Sequence, residues 1–192
     1  MTRLRRSRQT SETRWFDLWI LLALLTAIAA CTPQRAQMHE IAREITRERQ
    51  SQAQLPQVEL CIRDRQKGVS LVAEKATTPR QRRIGLMGRE TLAPDAGMLF
   101  VYERENGPNA SFWMYQTLIP LDIAYLDAEG EILAIQSMPP CNAKRGSACP
   151  TYPAGVTYRA ALEVNRGFFE RQNITPGARI TEATSEECKG TR

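Results

Sequence analysis

From residue 58 to 181 the apolar positions recur every second residue, or in short runs closed by glycine and proline, which is the pattern of half-buried and buried strands. Strands are predicted at Val58 to Ile62, Val69 to Ala73, Gly97 to Tyr102, Ser111 to Tyr115, Leu121 to Leu126, Ile132 to Met138, Tyr158 to Val164 and Ala178 to Thr181. Asp127-Ala128-Glu129-Gly130 joins two of them as a hairpin, because Gly130 can take positive φ. One helix interrupts the strands. Thr78 is placed to cap it, Pro79 suits its first position, Gln81 can close a capping box, and Gly88 after Met87 is the predicted stop. A second helical turn is predicted over Gly167 to Gln172. Eight short strands with one or two short helices predict a mainly β domain at 58–181, a compact antiparallel β-sandwich or partly closed barrel.

The pattern changes ahead of that domain. Residues 1–14 are polar and carry five arginines, and Leu18 to Ala30 is an apolar stretch broken only by Thr26, the layout of an export signal at 1–30. The apolar stretch falls short of the roughly twenty residues a helix needs to cross a bilayer. It ends Ile28-Ala29-Ala30-Cys31, which resembles the bacterial lipoprotein signal, in which small residues precede the cysteine that is acylated. Cys31 is thus the expected lipidation site, with palmitate-like chains anchoring the protein to a membrane on the exported side, in periplasm or outside the cell. Residues 31–57 read as a polar tether with one thin helical stripe of Met38, Ile41 and Ile45, and 182–192 as a polar C-terminal tail.

Charge agrees with this division. The formal charge is +5, but five of the 26 basic and two of the 21 acidic residues lie in the first thirty, which leaves 21 against 19 in the remainder. A body so near neutrality has no electrostatic attraction to nucleic acid. The 42% hydrophobic content excludes a disordered tail, a collagen, a coiled coil or a polytopic membrane protein.

With Cys31 assigned to lipid, Cys61, Cys141, Cys149 and Cys188 remain, an even number suited to disulfides in an exported domain. Of the three connectivities that four cysteines allow, the favoured one pairs Cys141 with Cys149 inside one polar loop and Cys61 with Cys188 across the domain. No Cys-x-x-Cys pair is present, and His39, the single histidine, lies in the tether. A zinc site and a histidine-based nucleophilic centre therefore lack material, and no metal or cofactor is expected.

Several strings continue in order through the domain: Arg83-Ile84-Gly85-Leu86-Met87-Gly88-Arg89, Gly97-Met98-Leu99-Phe100, Phe112-Trp113-Met114 leading to Thr117-Leu118-Ile119-Pro120-Leu121-Asp122-Ile123-Ala124, and Ala161-Leu162-Glu163-Val164-Asn165 with Gly167. Met138, Pro140-Cys141, Cys149-Pro150 and Tyr152 fall between them. In these motifs the chain resembles the bacterial and archaeal family known as domain of unknown function 192, over Val69 to Ile180. Two positions depart from the family pattern. Gly88 stands where an aromatic is usual, and Gln116 where asparagine precedes the threonine. The resemblance implies a small β-rich domain, often exported, and implies no reaction.

Asp122 and Glu163 each interrupt an apolar strand, and a carboxylate facing inward must be paired or protonated. Arg82, Arg83 and Arg89 are the expected partners of a structural ion pair. The sharper reading makes Asp122 and Glu163 the acid and base of a glycan hydrolase. Trp113, Tyr115 and Tyr152 are ligand-binding candidates, able to stack on sugar rings beside the proline-rich loop 139–153. Met87, Met98, Met114 and Met138 could suit Cu(I), but each lies in a core element where methionine commonly fills gaps. The expected role is a non-catalytic binding or accessory module on an envelope glycan or protein, with the hydrolase as alternative.

Overall fold

The computed structural model describes residues 35–39, 52–64 and 67–190, so Cys31 and the signal segment lie outside the described residues. The chain divides into two units, Met1–Thr46 and Arg47–Arg192. Of the first, residues 35–39 are helical and exposed, His39 included. No described helix is long and apolar enough to cross a membrane.

In the second unit the period-two pattern becomes β1 (Gln57–Asp64), β2 (Lys67–Ala76), β3 (Ala96–Asn106), β4 (Ser111–Trp113), β5 (Leu121–Leu126), β6 (Ile132–Met138), β7 (Thr151–Pro153), β8 (Tyr158–Asn165) and β9 (Arg179–Glu182). The helices of this unit are α1 (Pro79–Ile84), α2 (Phe168–Gln172) and α3 (Ser185–Gly190), with a 3-10 turn at Gly146–Ala148. Seven strands form one sheet, in the order β6-β5-β8-β3-β2-β1-β9, and β4 pairs with β7 in a separate ribbon. The large sheet curls into a half-barrel, so the partly closed barrel is realised and the sandwich is not. Its two ends approach where the Ile132 N–H donates to Ala178 O and the Ile180 N–H donates to Gly130 O, both at 2.8 Å. Gly130 has φ 82°, and a Cβ there would lie 2.2 Å from Ile180 O. Turn and closure thus both require glycine at this position.

Pairing departs from the expected antiparallel order at one place. β2 and β3 run parallel, because the segment carrying α1 returns the chain to the same end of the sheet, as a crossover connection must. The capping box forms as expected, with the Gln81 N–H donating to Thr78 Oγ1 at 3.2 Å and the Thr78 N–H to Gln81 Oε1 at 2.9 Å. The helix stops at Gly85, φ 53°, and not at Gly88, because the earlier glycine already takes a conformation that ends the helical turn. β7 was not expected. Three residues at the end of a proline-rich loop carry too short an alternation to register.

β4 ends at Trp113 and not at Tyr115, because the chain then turns at Gln116, which has φ 56°. Its N–H donates to Cys141 O at 2.8 Å, and its carbonyl accepts from the Gly88 N–H at 2.9 Å. These two bonds hold a glutamine in the left-handed region that asparagine adopts more readily, which explains the asparagine usual there in the resembling family. Replacing Gln116 by asparagine is expected to stabilise the protein by about 0.5–1 kcal/mol in urea unfolding.

Strand β5, with all six residues buried, lies between two apolar clusters. Leu60, Leu71, Leu99, Leu126, Leu162, Val164 and the two rings of α2, Phe168 and Phe169, meet on one face of the sheet. On the other, Met98, Phe100, Ile123, Tyr125 and Ala161 are covered by Phe112 of the ribbon and by Leu86 and Met114. Two disulfides hold the unit, Cys141–Cys149 and Cys61–Cys188, the favoured pairing. The second ties β1 to α3, a helix that the polar tail did not announce.

Candidate functional site

β5 and β8 are neighbours, with Asp122 opposite Val164 and Ile123 opposite Glu163. Residues directly opposite project to one face of a sheet. Asp122 therefore joins Ala124, Leu126 and Val164 on the face of the α2 rings, whereas Glu163 joins Ile123, Tyr125 and Met98 on the face covered by the ribbon. The sheet separates the two carboxyl groups, and no single glycosidic bond can lie between them.

Each has its own environment. Asp122 accepts from Ser137 Oγ at 2.6 Å and from the Gly167 N–H at 2.7 Å, so it ties β6 and the start of α2 to β5. Truncation to alanine removes both bonds and leaves their donors unsatisfied, for an expected loss of about 2–3 kcal/mol in urea unfolding.

Glu163 is 4% exposed, and among the described residues no group donates to it or pairs with it. Burial raises its carboxyl to about 8. The ion pair expected with arginine does not form. Arg89 bonds Glu74 at 2.9 Å, and Arg82 donates to the carbonyls of Thr77 and Val101 with its guanidinium 4.6 Å from the centre of the Tyr102 ring. Arg83 is exposed. Glu74, which also accepts from the Leu55 N–H at 2.8 Å, was overlooked, although its signal is present: an acid between Ala73 and Ala76 in an apolar strand. It shares Glu163's face of the sheet, with Met98 between them.

Glu163 opens into a narrow cavity of about 20 Å³ beneath the ribbon. Its walls include Phe100, Phe112, Trp113, Met87 and Thr117. Thr117 is buried, and Trp113, 39% exposed, forms the outer wall. Tyr102, Tyr125 and Tyr158 stand nearby, each with its phenol raised above the ordinary value chiefly by burial. Electrostatic interaction with Glu163 adds to the rise at Tyr102 and Tyr125.

Of the three aromatic candidates, the structure brings two together. The Trp113 and Tyr115 rings lie 5.5 Å apart. Tyr152 pairs with Phe112 across the ribbon and packs against the cluster beneath it. The disulfide loop lies on the Trp113–Tyr115 pair so closely that a Cβ on Gly146 would be 2.9 Å from Trp113 Cζ3. Met98, Met114 and Met138 are fully buried in the core, and Met87 reaches the cavity. Among the described residues no group of three or more His, Cys, Asp or Glu side chains is placed to hold a metal.

The family described as "Uncharacterized ACR", domain of unknown function 192, matches residues 61–182. Among solved structures, the chain is similar to a putative transcription regulator from Sinorhizobium meliloti, at 27% identity and TM-score 0.60, over 68% of this chain and 97% of that one. It is also similar to a protein of unknown function from Novosphingobium aromaticivorans, at 29% identity and TM-score 0.57, over 66% of this chain and 86% of that one. No curated protein matches.

Proposed function

Since the chain belongs to the family of domain of unknown function 192, for which no reaction is assigned, we propose that it is an exported, lipid-anchored binding module whose ligand enters the cavity over Glu163 beside Trp113. The observation that carries this reading is a carboxyl with no partner among the described residues, 4% exposed, that opens into a cavity with an exposed tryptophan at its rim. An unpaired polar group in a core is costly, and a protein retains one where it meets something. Two disulfides favour an oxidising compartment, and the lipid belongs on Cys31. A binding role is preferred over catalysis because Asp122 is turned to the opposite face and both its oxygens are bonded.

The test has two parts. The intact mass of the membrane-extracted protein is expected to equal Cys31–Arg192 plus acyl chains; a species retaining residues 1–30 would overturn the anchor. Once those residues are removed, Trp113 is the remaining tryptophan of three, so fluorescence reports the rim directly. Envelope extracts fractionated for ligands are expected to shift that emission in the native chain and not after Glu163→Gln. A shift unaffected by the substitution would place the ligand elsewhere.

A further inference from the structure

We propose that the side of the domain built by α1, the ribbon and the disulfide loop lies against an anionic phospholipid surface, with Trp113 at headgroup depth and Arg80, Arg83, Lys144 and Arg145 on the phosphates. The proposal rests on the membrane-anchor part of the reading above and not on the cavity over Glu163.

Charge is spread unevenly over a body that is near neutral as a whole. Three segments cover the face of the sheet that holds Met98 and Phe100: 77–89 through Leu86, 107–120 through Phe112 and Met114, and 139–157 through Cys141 and Ala154. Together they carry six cations, Arg80, Arg82, Arg83, Arg89, Lys144 and Arg145, and no acid. Two of the six are engaged within the fold. Arg89 bonds Glu74, and Arg82 is held by the Thr77 and Val101 carbonyls beside the Tyr102 ring. The other four are exposed, and among the described residues none has an acidic partner. Glu163 behind them is buried, and the exposed acid closest to them in sequence is Glu90, just past Arg89.

The same three segments meet at the exposed tryptophan. The Gly88 N–H donates to Gln116 O at 2.9 Å and the Gln116 N–H to Cys141 O at 2.8 Å, which sets them side by side. Arg83 and Trp113 line one cavity, and Gly146, next to Arg145, lies so near Trp113 that a Cβ would be 2.9 Å from its ring. Arg80 precedes Arg83 by three residues on α1, the spacing that places both on one side of a helix. Among the described residues of the second unit, Trp113 is the large apolar side chain left exposed. It therefore stands between cations of two segments.

That combination suits a bilayer. An indole has an apolar body and one N–H, which fits the boundary between headgroups and acyl chains. Each cation close to an anionic leaflet favours contact by about fivefold. A soluble polyanion has to be drawn from a distance by net charge, which this body lacks, whereas a bilayer that already holds the chain needs only the local attraction of this face.

The experiment uses the full chain without acylation, with Trp15→Phe and Trp19→Phe so that Trp113 is the remaining tryptophan. It is mixed with vesicles of phosphatidylcholine alone or with an equal part of phosphatidylglycerol, both carrying brominated acyl chains. The arginines of residues 1–14 can bring the chain to anionic vesicles by themselves, so the readout is quenching of Trp113 by bromine and not total binding. Trp113 is expected to be quenched, with emission at shorter wavelength, on the anionic vesicles and not on phosphatidylcholine alone. Arg83→Gln with Arg145→Gln removes two cations, and the ratio of docked to undocked protein is expected to fall about 25-fold. Arg171→Gln with Lys189→Gln removes the same charge from α2 and α3 and is expected to leave quenching unchanged, with both variants melting as the parent does. Unquenched Trp113 on the anionic vesicles, or quenching indifferent to Arg83 and Arg145, would overturn the membrane face and leave the anchor on Cys31, which the intact mass tests separately. Emission that responds to duplex DNA or a sulfated glycan and not to the vesicles would give the face to a soluble polyanion and overturn the proposal as well.

Discussion

Glu163→Gln is expected to make the protein more stable, by up to about 5 kcal/mol at pH 8.5. The carboxyl moves from its ordinary 4.5 to about 8 because burial removes it from water. Each unit corresponds to about 1.4 kcal/mol, and the interval is roughly three and a half units. Between pH 4.5 and 8 the folded state keeps the proton and the unfolded chain releases it, so the folded state binds more protons and stability falls as pH rises through this window. Above about 8 the loss is complete. Glutamine titrates in neither state, so the variant's dependence on pH lacks this component. Urea unfolding at pH 4.5 should find the two proteins alike, and at pH 8.5 should find the variant well ahead. Equal stability at pH 8.5 would mean that Glu163 is hydrated in the folded protein.

Replacing Cys61 and Cys188 together by alanine is expected to cost about 3–5 kcal/mol, measured as the fall in unfolding free energy. The bridge closes a loop with a sequence separation of 127, for which the chain-entropy relation gives about 5 kcal/mol. The folded state also depends on it. Cys61 is fully buried on β1 opposite Thr181 of β9, and α3 has six residues, too few to persist without an anchor. Since domains hold about 5–15 kcal/mol in all, the double variant should lose much of its margin at 37 °C. Removing the Cys141–Cys149 bridge, with a separation of 8, should cost about 2.5 kcal/mol on the same relation. That change should also alter Trp113 emission, because the loop lies on its ring. A double variant of Cys61 and Cys188 within 1 kcal/mol of the native protein would show that β9 and α3 hold without the bridge.

Much of this was legible because the signals are local. The hairpin at Gly130, the capping box of Thr78 and Gln81, and the strand Leu121–Leu126 each depend on a few adjacent residues, and each is where the pattern predicts it. Asp122 and Glu163 were recognisable as carboxyl groups in apolar strands that had to be bonded or protonated. Asp122 is bonded and Glu163 is protonated at neutral pH. Their relation was not legible. Each residue's alternation within its own strand is plain, but the register between β5 and β8 decides whether two faces coincide, and one residue of register exchanges them. The arginines were likewise too many to assign, because Glu74 and the ring of Tyr102 compete for them only once β2, β3 and α1 are packed together.

By itself the sequence determined the strands, the helix start, the near-neutral body and the family, all of which rest on neighbouring residues or on composition. The tertiary structure alone decided that the sheet curls into a half-barrel, that β2 and β3 run parallel, that Asp122 and Glu163 lie on opposite faces, and that Glu163, above a cavity rimmed by Trp113, has no partner among the described residues. The physical reason is range. Backbone propensity, capping and alternation act within a few residues, whereas burial, desolvation and the choice of an ion-pair partner depend on which distant segments exclude water from the same place.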